Sequence, residues 1–127
     1  MLQLILRVLV GVLGLLGLAL AARFWMDPMT AAEGLGLSSL NDLGTATLRA
    51  DLGAFFGTTG LFCLAAALLN RAALMSAPIA LFGLALAGRT YSLLMFGPAE
   101  GGMPPMIVEG VTLAFFALGR FFLGPKS

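Results

Sequence analysis

Four long apolar stretches run along the chain, each separated from the next by a short cluster of glycine, proline or polar residues. They cover about residues 2–25, 45–70, 74–96 and 105–123. Each comes close to the roughly 20 helical residues needed to cross a hydrocarbon core of about 30 Å. The pattern predicts an all-α membrane protein, a single domain built as a bundle of four transmembrane helices. The first stretch ends with Ala19-Leu20-Ala21, which resembles a signal-peptidase site. Yet Leu2, Leu4, Ile5 and Leu6 precede Arg7, so no charged segment comes first, and the stretch reads as a retained helix with Trp25 in the interfacial belt.

The breaks between stretches carry their own signals. Asp27-Pro28 sets an N-cap before a proline at the first helical position, and Gly34 or Gly36 supplies a stop. This predicts a short helix lying on the membrane surface between the first two spans. Ser39 and Asp42 have the spacing of a capping box opening the second long helix. Two readings fit the next connection. Either Asn70-Arg71 forms the turn and Pro78 kinks the third helix, or Met75-Ser76-Ala77 forms it and Pro78 sits at a helix start. Gly97-Pro98 ends the third span, and a loop through Gly101-Gly102 reaches Pro104-Pro105 at the start of the fourth.

Composition supports the membrane reading. Hydrophobic residues make up 60% of the 127 residues and charged residues 10%. A soluble domain carries about 25% charged residues, so too few charges remain to hydrate a whole surface. There is no histidine and one cysteine, Cys63. Those two counts remove an internal disulfide, histidine- or cysteine-cluster zinc sites, His-dependent triads and bis-histidine haem ligation. Neither cofactor nor metal is predicted. No basic run with interleaved aromatics points to nucleic acid.

Charge sets a direction. Arg7, Arg71, Arg120 and Lys126 fall beside the termini and the second-to-third turn, without an acid. The opposite side holds Arg23, Arg49 and Arg89 together with Asp27, Glu33, Asp42, Asp51, Glu100 and Glu109. Four positive charges on one side and a balance of minus three on the other give the overall +1. Basic residues favour the cytoplasm, which predicts a multi-pass protein of the cell inner membrane with both termini cytoplasmic. Arg7, Arg71 and Arg120 lie near span ends and read as snorkelling anchors.

Ionisable groups inside a span cost roughly 2.5–3.5 kcal/mol each on insertion scales, so Arg49, Asp51, Arg89 and Glu109 stand out. Because the helices alternate in direction, all four are expected at similar depth in the outer half of the bundle. At 100° per residue, Arg49 shares a face with Gly53, Phe56, Gly60 and Cys63, the small-residue face expected to point inward, while Asp51 lies on the other side. Arg49 and Arg89 are the interior candidates and Glu109 the partner of one of them. Asp51 pairs in this reading with Arg89, with Arg23 or with the loop. Tyr91 and Ser92 follow Arg89 closely enough to add hydroxyls. The plainer account is a salt-bridge network locking three helices at one end. The functional account is a pocket whose arginines meet an anionic head group, a task suited to a planar guanidinium that stays charged.

Every span also carries small residues: Gly11, Gly14 and Gly17; Gly53, Gly57 and Gly60; Gly83 and Ala87; Gly110 and Ala114. Such faces let helices approach closely in lipid. They fit tight internal packing, pairing of two copies, or a place in a larger membrane complex. Cys63 reads as a packing thiol, and Met103 and Met106 sit where a hydrophobic ligand would pass.

Asp27-Pro28, the run from Leu48 through Arg49, Asp51 and Gly53, then Gly88-Arg89-Thr90-Tyr91-Ser92, and Glu109 in the last span together resemble a bacterial family of small four-helix membrane proteins of unknown function, distantly similar to DoxX-like proteins. The resemblance spans nearly the whole chain. It departs at Ala54, where a second glycine is the family pattern, and at Phe96, where an acid is. It implies a four-helix bundle, makes Arg49 and Arg89 notable, and implies no catalytic residue.

Taken together the residues point to a non-enzymatic protein that binds a membrane lipid or small amphipathic anion at the cluster of Arg49, Asp51, Arg89, Tyr91, Ser92 and Glu109, as an accessory subunit or alone. The alternatives are a small-solute or proton transporter, for which no polar path continues through the cytoplasmic half, and a membrane-embedded lipid-modifying enzyme using Asp51 or Glu109 as acid or base, for which no nucleophile is evident.

Overall fold

A computed structural model describes residues 1–125; Lys126, counted above among the basic residues, lies outside them. The described chain is helical, with no strand. Helix α1 spans Leu2–Met26, α2 Pro28–Glu33, α3 Asp42–Thr47, α4 Gly53–Leu69, α5 Ser76–Phe96 and α6 Met103–Phe122. A π-helical turn, Leu48–Leu52, joins α3 to α4 without interruption. Four helices are therefore long and apolar enough to cross a membrane: Leu2–Met26, Asp42–Leu69, Ala72–Phe96 and Met103–Phe122. Both termini and the α4–α5 turn gather at one end of the molecule, here the terminal end; the two longer connections form the loop end.

Local chemistry explains each boundary. The Asp27 side chain accepts from Thr30 N at 3.4 Å and Pro28 opens α2, as expected, and α2 closes at Gly34 before Gly36 turns to φ +73°. The cap of α3 is Asn41, whose Oδ1 accepts from Gly44 N at 2.9 Å. Ser39, expected in that role, instead shares a hydrogen bond with Thr45 Oγ1 at 2.7 Å. Asparagine caps as well as serine does, and Asn41 is the residue adjacent to the first helical turn. The α4–α5 connection combines both sequence readings. Asn70 ends α4 in the left-handed region at φ +50°, a conformation asparagine tolerates, a 3-10 turn covers Ala72–Met75, and Pro78 falls in the first turn of α5. There Pro78 is buried and breaks no interior hydrogen bond.

The closest packing joins α1 to α4. Cβ atoms added at Gly14 or Gly60 would lie 2.7–2.9 Å from backbone of the opposite helix, Gly60 O for the first and Gly14 O and Leu18 N for the second. At Gly17 a Cβ would stand 3.0 Å from Gly60 Cα and Phe56 O. Only glycine admits that approach, and the close contact of two backbones substitutes dispersion for the weak hydrophobic drive available in lipid. Two arginines finish the pair reciprocally. Arg7, near the start of α1, donates from Nε to Ala67 O at 2.8 Å and from Nη2 to Leu68 O at 3.3 Å, at the end of α4. Arg49, in the π-helical turn leading into α4, donates from Nε to Trp25 O at 3.2 Å, at the end of α1. Each cation meets unpaired carbonyls at the negative end of a helix dipole. Arg7 is thus a part-buried cap as well as a basic residue near a span end.

Helices α5 and α6 pack on this pair mainly at the terminal end. There Leu6, Val10, Cys63, Ala66, Ala72, Met75, Phe116 and Leu123 form a buried core. Gln3 Nε2 donates to Phe122 O at 3.2 Å, Gly124 N to Asn70 Oδ1 at 3.1 Å and Ala73 N to Pro125 O at 3.3 Å. The glycines of α5 and α6 divide accordingly. Gly119 packs on Val10, whereas a Cβ at Gly83, Gly88 or Gly110 would meet nothing within 4 Å.

The two kinds of glycine predict opposite outcomes in one measurement. Gly60→Ala lowers the thermal stability of the detergent-solubilised protein by the equivalent of roughly 1–3 kcal/mol, the usual cost of overpacking. Gly110→Ala leaves stability unchanged or raises it by up to about 1 kcal/mol through helix propensity. Equal melting temperatures for the two variants would show that the α1–α4 backbones do not approach as described.

Candidate functional site

Toward the loop end the helices separate around a cavity of about 480 Å³. Helix α1 contributes residues from Leu13 to Phe24, α4 contributes Phe55, Phe56 and Thr59, α5 contributes Phe82 and Arg89, and α6 contributes residues from Pro105 to Phe116. Ala31, Gly34 and Leu35 of the α2 segment cover its loop end. Its depth along α1, ten residues from Leu13 to Arg23, corresponds to about 15 Å at 1.5 Å per residue.

Phenylalanines build the wall. Phe24 stacks on Phe56 with centroids 5.7 Å apart, Phe56 meets Phe55 edge-on at 5.1 Å, Phe55 stacks on Phe82 at 5.4 Å, and Phe82 meets Phe116 edge-on at 5.2 Å. This ladder touches all four long helices in turn. Rings so large keep α5 and α6 from closing on α1 and α4 as closely as glycines allow those two to close on each other. Spacings of 4.5–7 Å are those in which aromatic pairs attract, so the ladder holds the space open while binding the helices together.

The polar groups collect at one end of this apolar space. Arg89 Nε donates to Glu109 Oε1 at 2.7 Å, joining α5 to α6, with 36% of the arginine side chain and 15% of the glutamate side chain exposed. The bond is short, as expected for a charge-assisted pair, and it engages a single edge of the guanidinium. Glu109 Oε2 is buried and accepts no hydrogen bond. Arg23, exposed in the last turn of α1, lines the same cavity, as does Thr112 beside Glu109's helix face. Thr59 also lines it, but its hydroxyl donates back to Phe55 O at 2.9 Å. Two guanidinium groups and one carboxylate therefore meet the cavity, a local balance of one positive charge.

The six candidate residues are not brought to one place. Arg89 and Glu109 meet directly. Ser92 is exposed and lines, with Arg89, Met103 and Met106, a separate smaller pocket of about 120 Å³ below the α5–α6 loop. Tyr91 is exposed and packs edge-on against Phe96, 6.3 Å away. Asp51 is exposed on the π-helical turn. Arg49 does not turn inward with Gly53, Gly60 and Cys63; it is exposed and caps α1. The reason is the π-helical turn of Leu48–Leu52, whose wider winding shifts Arg49 in azimuth relative to Gly60 and Cys63 and breaks the 100° spacing on which that shared face depended. Trp25, exposed and laid over Gly53, occupies the adjoining surface; a Cβ at Gly53 would lie 2.5 Å from its Nε1.

Arg23, at an exposed position, lines the cavity where Arg49 was expected. A signal existed: Arg23 is one residue before the buried Phe24, in the last turn of α1. Among the described residues no three of His, Cys, Asp and Glu cluster closely enough to hold a metal ion. No protein-family model, curated protein or solved structure matches the chain.

The bridge between α5 and α6 sits where truncating one partner strands the other. Arg89→Leu and Glu109→Leu each lower unfolding stability in detergent by roughly 1–3 kcal/mol, reduced from fully buried values by the partial exposure of Arg89. The double variant recovers most of that loss, because no lone charge remains. Strict additivity of the two losses in a double-mutant cycle would show that the pair is not coupled.

Proposed function

We propose that this chain is a multi-pass protein of the inner membrane, both termini cytoplasmic, that binds a lipid or other amphipathic anion in the aromatic cavity. The observation that carries this reading is the polarity of the cavity: phenylalanine and leucine walls lead to Arg23, Arg89 and Glu109 at one end. Its volume of about 480 Å³ falls within the roughly 300–1,000 Å³ of ordinary small-molecule sites. Walls that face no partner atoms forfeit their dispersion contacts. An apolar chain recovers those contacts, and a head group with negative charge answers the local positive balance.

Two features favour binding over transport. The cavity ends at Leu13, Phe82 and Phe116, and beyond it the terminal half is filled by the buried core of Val10, Cys63, Met75 and Leu123. Nor do the residues at the cavity form a nucleophile with a base, which favours a non-enzymatic role. The likeness to the small four-helix family of distant DoxX similarity belongs to this proposal only as architecture.

Native mass spectrometry of the protein extracted with its lipids tests the reading. The expected spectrum carries a bound species that survives detergent exchange, falls at least about tenfold in Arg89→Ala, the equivalent of 1.4 kcal/mol, and is displaced in Leu20→Trp, where an indole occupies the cavity. A spectrum with no retained species, or one equally retained in both variants, would end it.

A further inference from the structure

The polar end of the cavity says more about its ligand than that it is anionic. Glu109 has one oxygen held by Arg89 Nε at 2.7 Å and the other buried without a hydrogen-bond donor. A buried acceptor left unpaired costs more than a hydrogen bond contributes net when made, and this one belongs to a carboxylate, for which the cost is greater still. The terminal torsion of glutamate is broad, so a small rotation presents Oε2 to the cavity that Glu109 lines. The other charged residues lining that cavity are Arg23 and Arg89, whose guanidinium groups only donate. The site therefore asks for two things from one ligand at one depth: an anionic acceptor for the arginines and a donor for Glu109.

Charge narrows the class further. The charged residues that line the cavity are Arg23, Arg89 and Glu109, a formal balance of one positive charge. A monoanionic head group neutralises it. A zwitterionic head group leaves the balance unchanged and places its ammonium among two arginines. A hydroxyl supplies the donor without adding a cation. We infer that the cavity is built for a monoanionic phospholipid whose head group bears a free hydroxyl, with phosphatidylglycerol the simplest example. The phosphate lies against Arg23 and Arg89, the head-group hydroxyl donates to Glu109 Oε2, and one acyl chain runs about 15 Å along α1 between the phenylalanine ladder and Leu13.

This inference rests on the lipid-binding reading above, and the following experiment separates the two. The delipidated protein is titrated by native mass spectrometry with four probes of matched acyl chains where chains are present: phosphatidylglycerol, phosphatidylmethanol, phosphatidylcholine and the chain-free head group glycerophosphoglycerol. Phosphatidylmethanol keeps the charge and lacks the hydroxyl; phosphatidylcholine has the phosphate but neither net charge nor donor. The expected order is phosphatidylglycerol about five- to tenfold tighter than phosphatidylmethanol, the net worth of one hydrogen bond, then phosphatidylcholine, with no measurable binding of the free head group. Glu109→Leu brings the first two lipids to equal affinity. Arg23→Ala, at an exposed position that the fold does not need, weakens both monoanionic lipids alike and keeps their ratio. Equal affinity for phosphatidylglycerol and phosphatidylmethanol in the unaltered protein overturns the hydroxyl assignment while lipid binding stands. Preference for phosphatidylcholine overturns the charge assignment. Binding of none of the three lipids overturns both this inference and the reading beneath it.

Discussion

Everything else in the molecule depends on how closely two backbones approach. At Gly14, Gly17 and Gly60 helices α1 and α4 come together until no side chain fits between them. The remaining two helices meet this pair through phenylalanine instead. A bundle joined by glycine on one side and by aromatic rings on the other cannot be uniformly tight. At the terminal end small residues such as Ala66 and Ala72 let Met75, Phe116 and Leu123 fill the gap. Toward the loop end the rings touch one another along one wall, and the space between the helices beside them is a cavity. The difference between a core and a pocket is here a difference of side-chain volume along the same four helices.

The polar groups exploit that difference. Low dielectric surroundings strengthen a pair such as Arg89–Glu109 and also make an unpaired oxygen costly, so the same placement that ties α5 to α6 leaves Glu109 with an acceptor to satisfy. A fully bidentate bridge would have spent both oxygens and closed the end of the cavity as structure alone. The single-edge bond ties the two helices and leaves the second oxygen of Glu109 without a donor.

Much of this was legible in the sequence and some was not. The four long helices follow from run length and hydropathy, and Asp27-Pro28, Gly97-Pro98 and Pro104-Pro105 place their boundaries to within a few residues because caps and prolines act locally. Matching depth on antiparallel helices made Glu109 a partner for either Arg49 or Arg89 and left Asp51 as a rival for Arg89, and the structure selects Arg89 with Glu109. The place of Arg49 was not legible, because its facing depended on an unbroken helical period, and the π-helical turn of Leu48–Leu52 has no distinctive residue signature. The aromatic ladder escaped for a different reason. Ten phenylalanines spread over the chain give no pairwise clue, and only the tertiary arrangement shows which five of them face one another.

The reciprocal arginines have a mechanical meaning. Arg7 grips the end of α4 and Arg49 grips the end of α1, so the two contacts lie at opposite extremities of one antiparallel pair. Sliding α1 along α4 in either direction lengthens both grips at once, and rotating one helix tears the glycine seam between them. The pair behaves as a stator: fixed in stagger and in azimuth, with compliance left to α5 and α6. The aromatic side has no such seam, and its helices are stitched to the pair at the end where Gly124 N donates to Asn70 Oδ1.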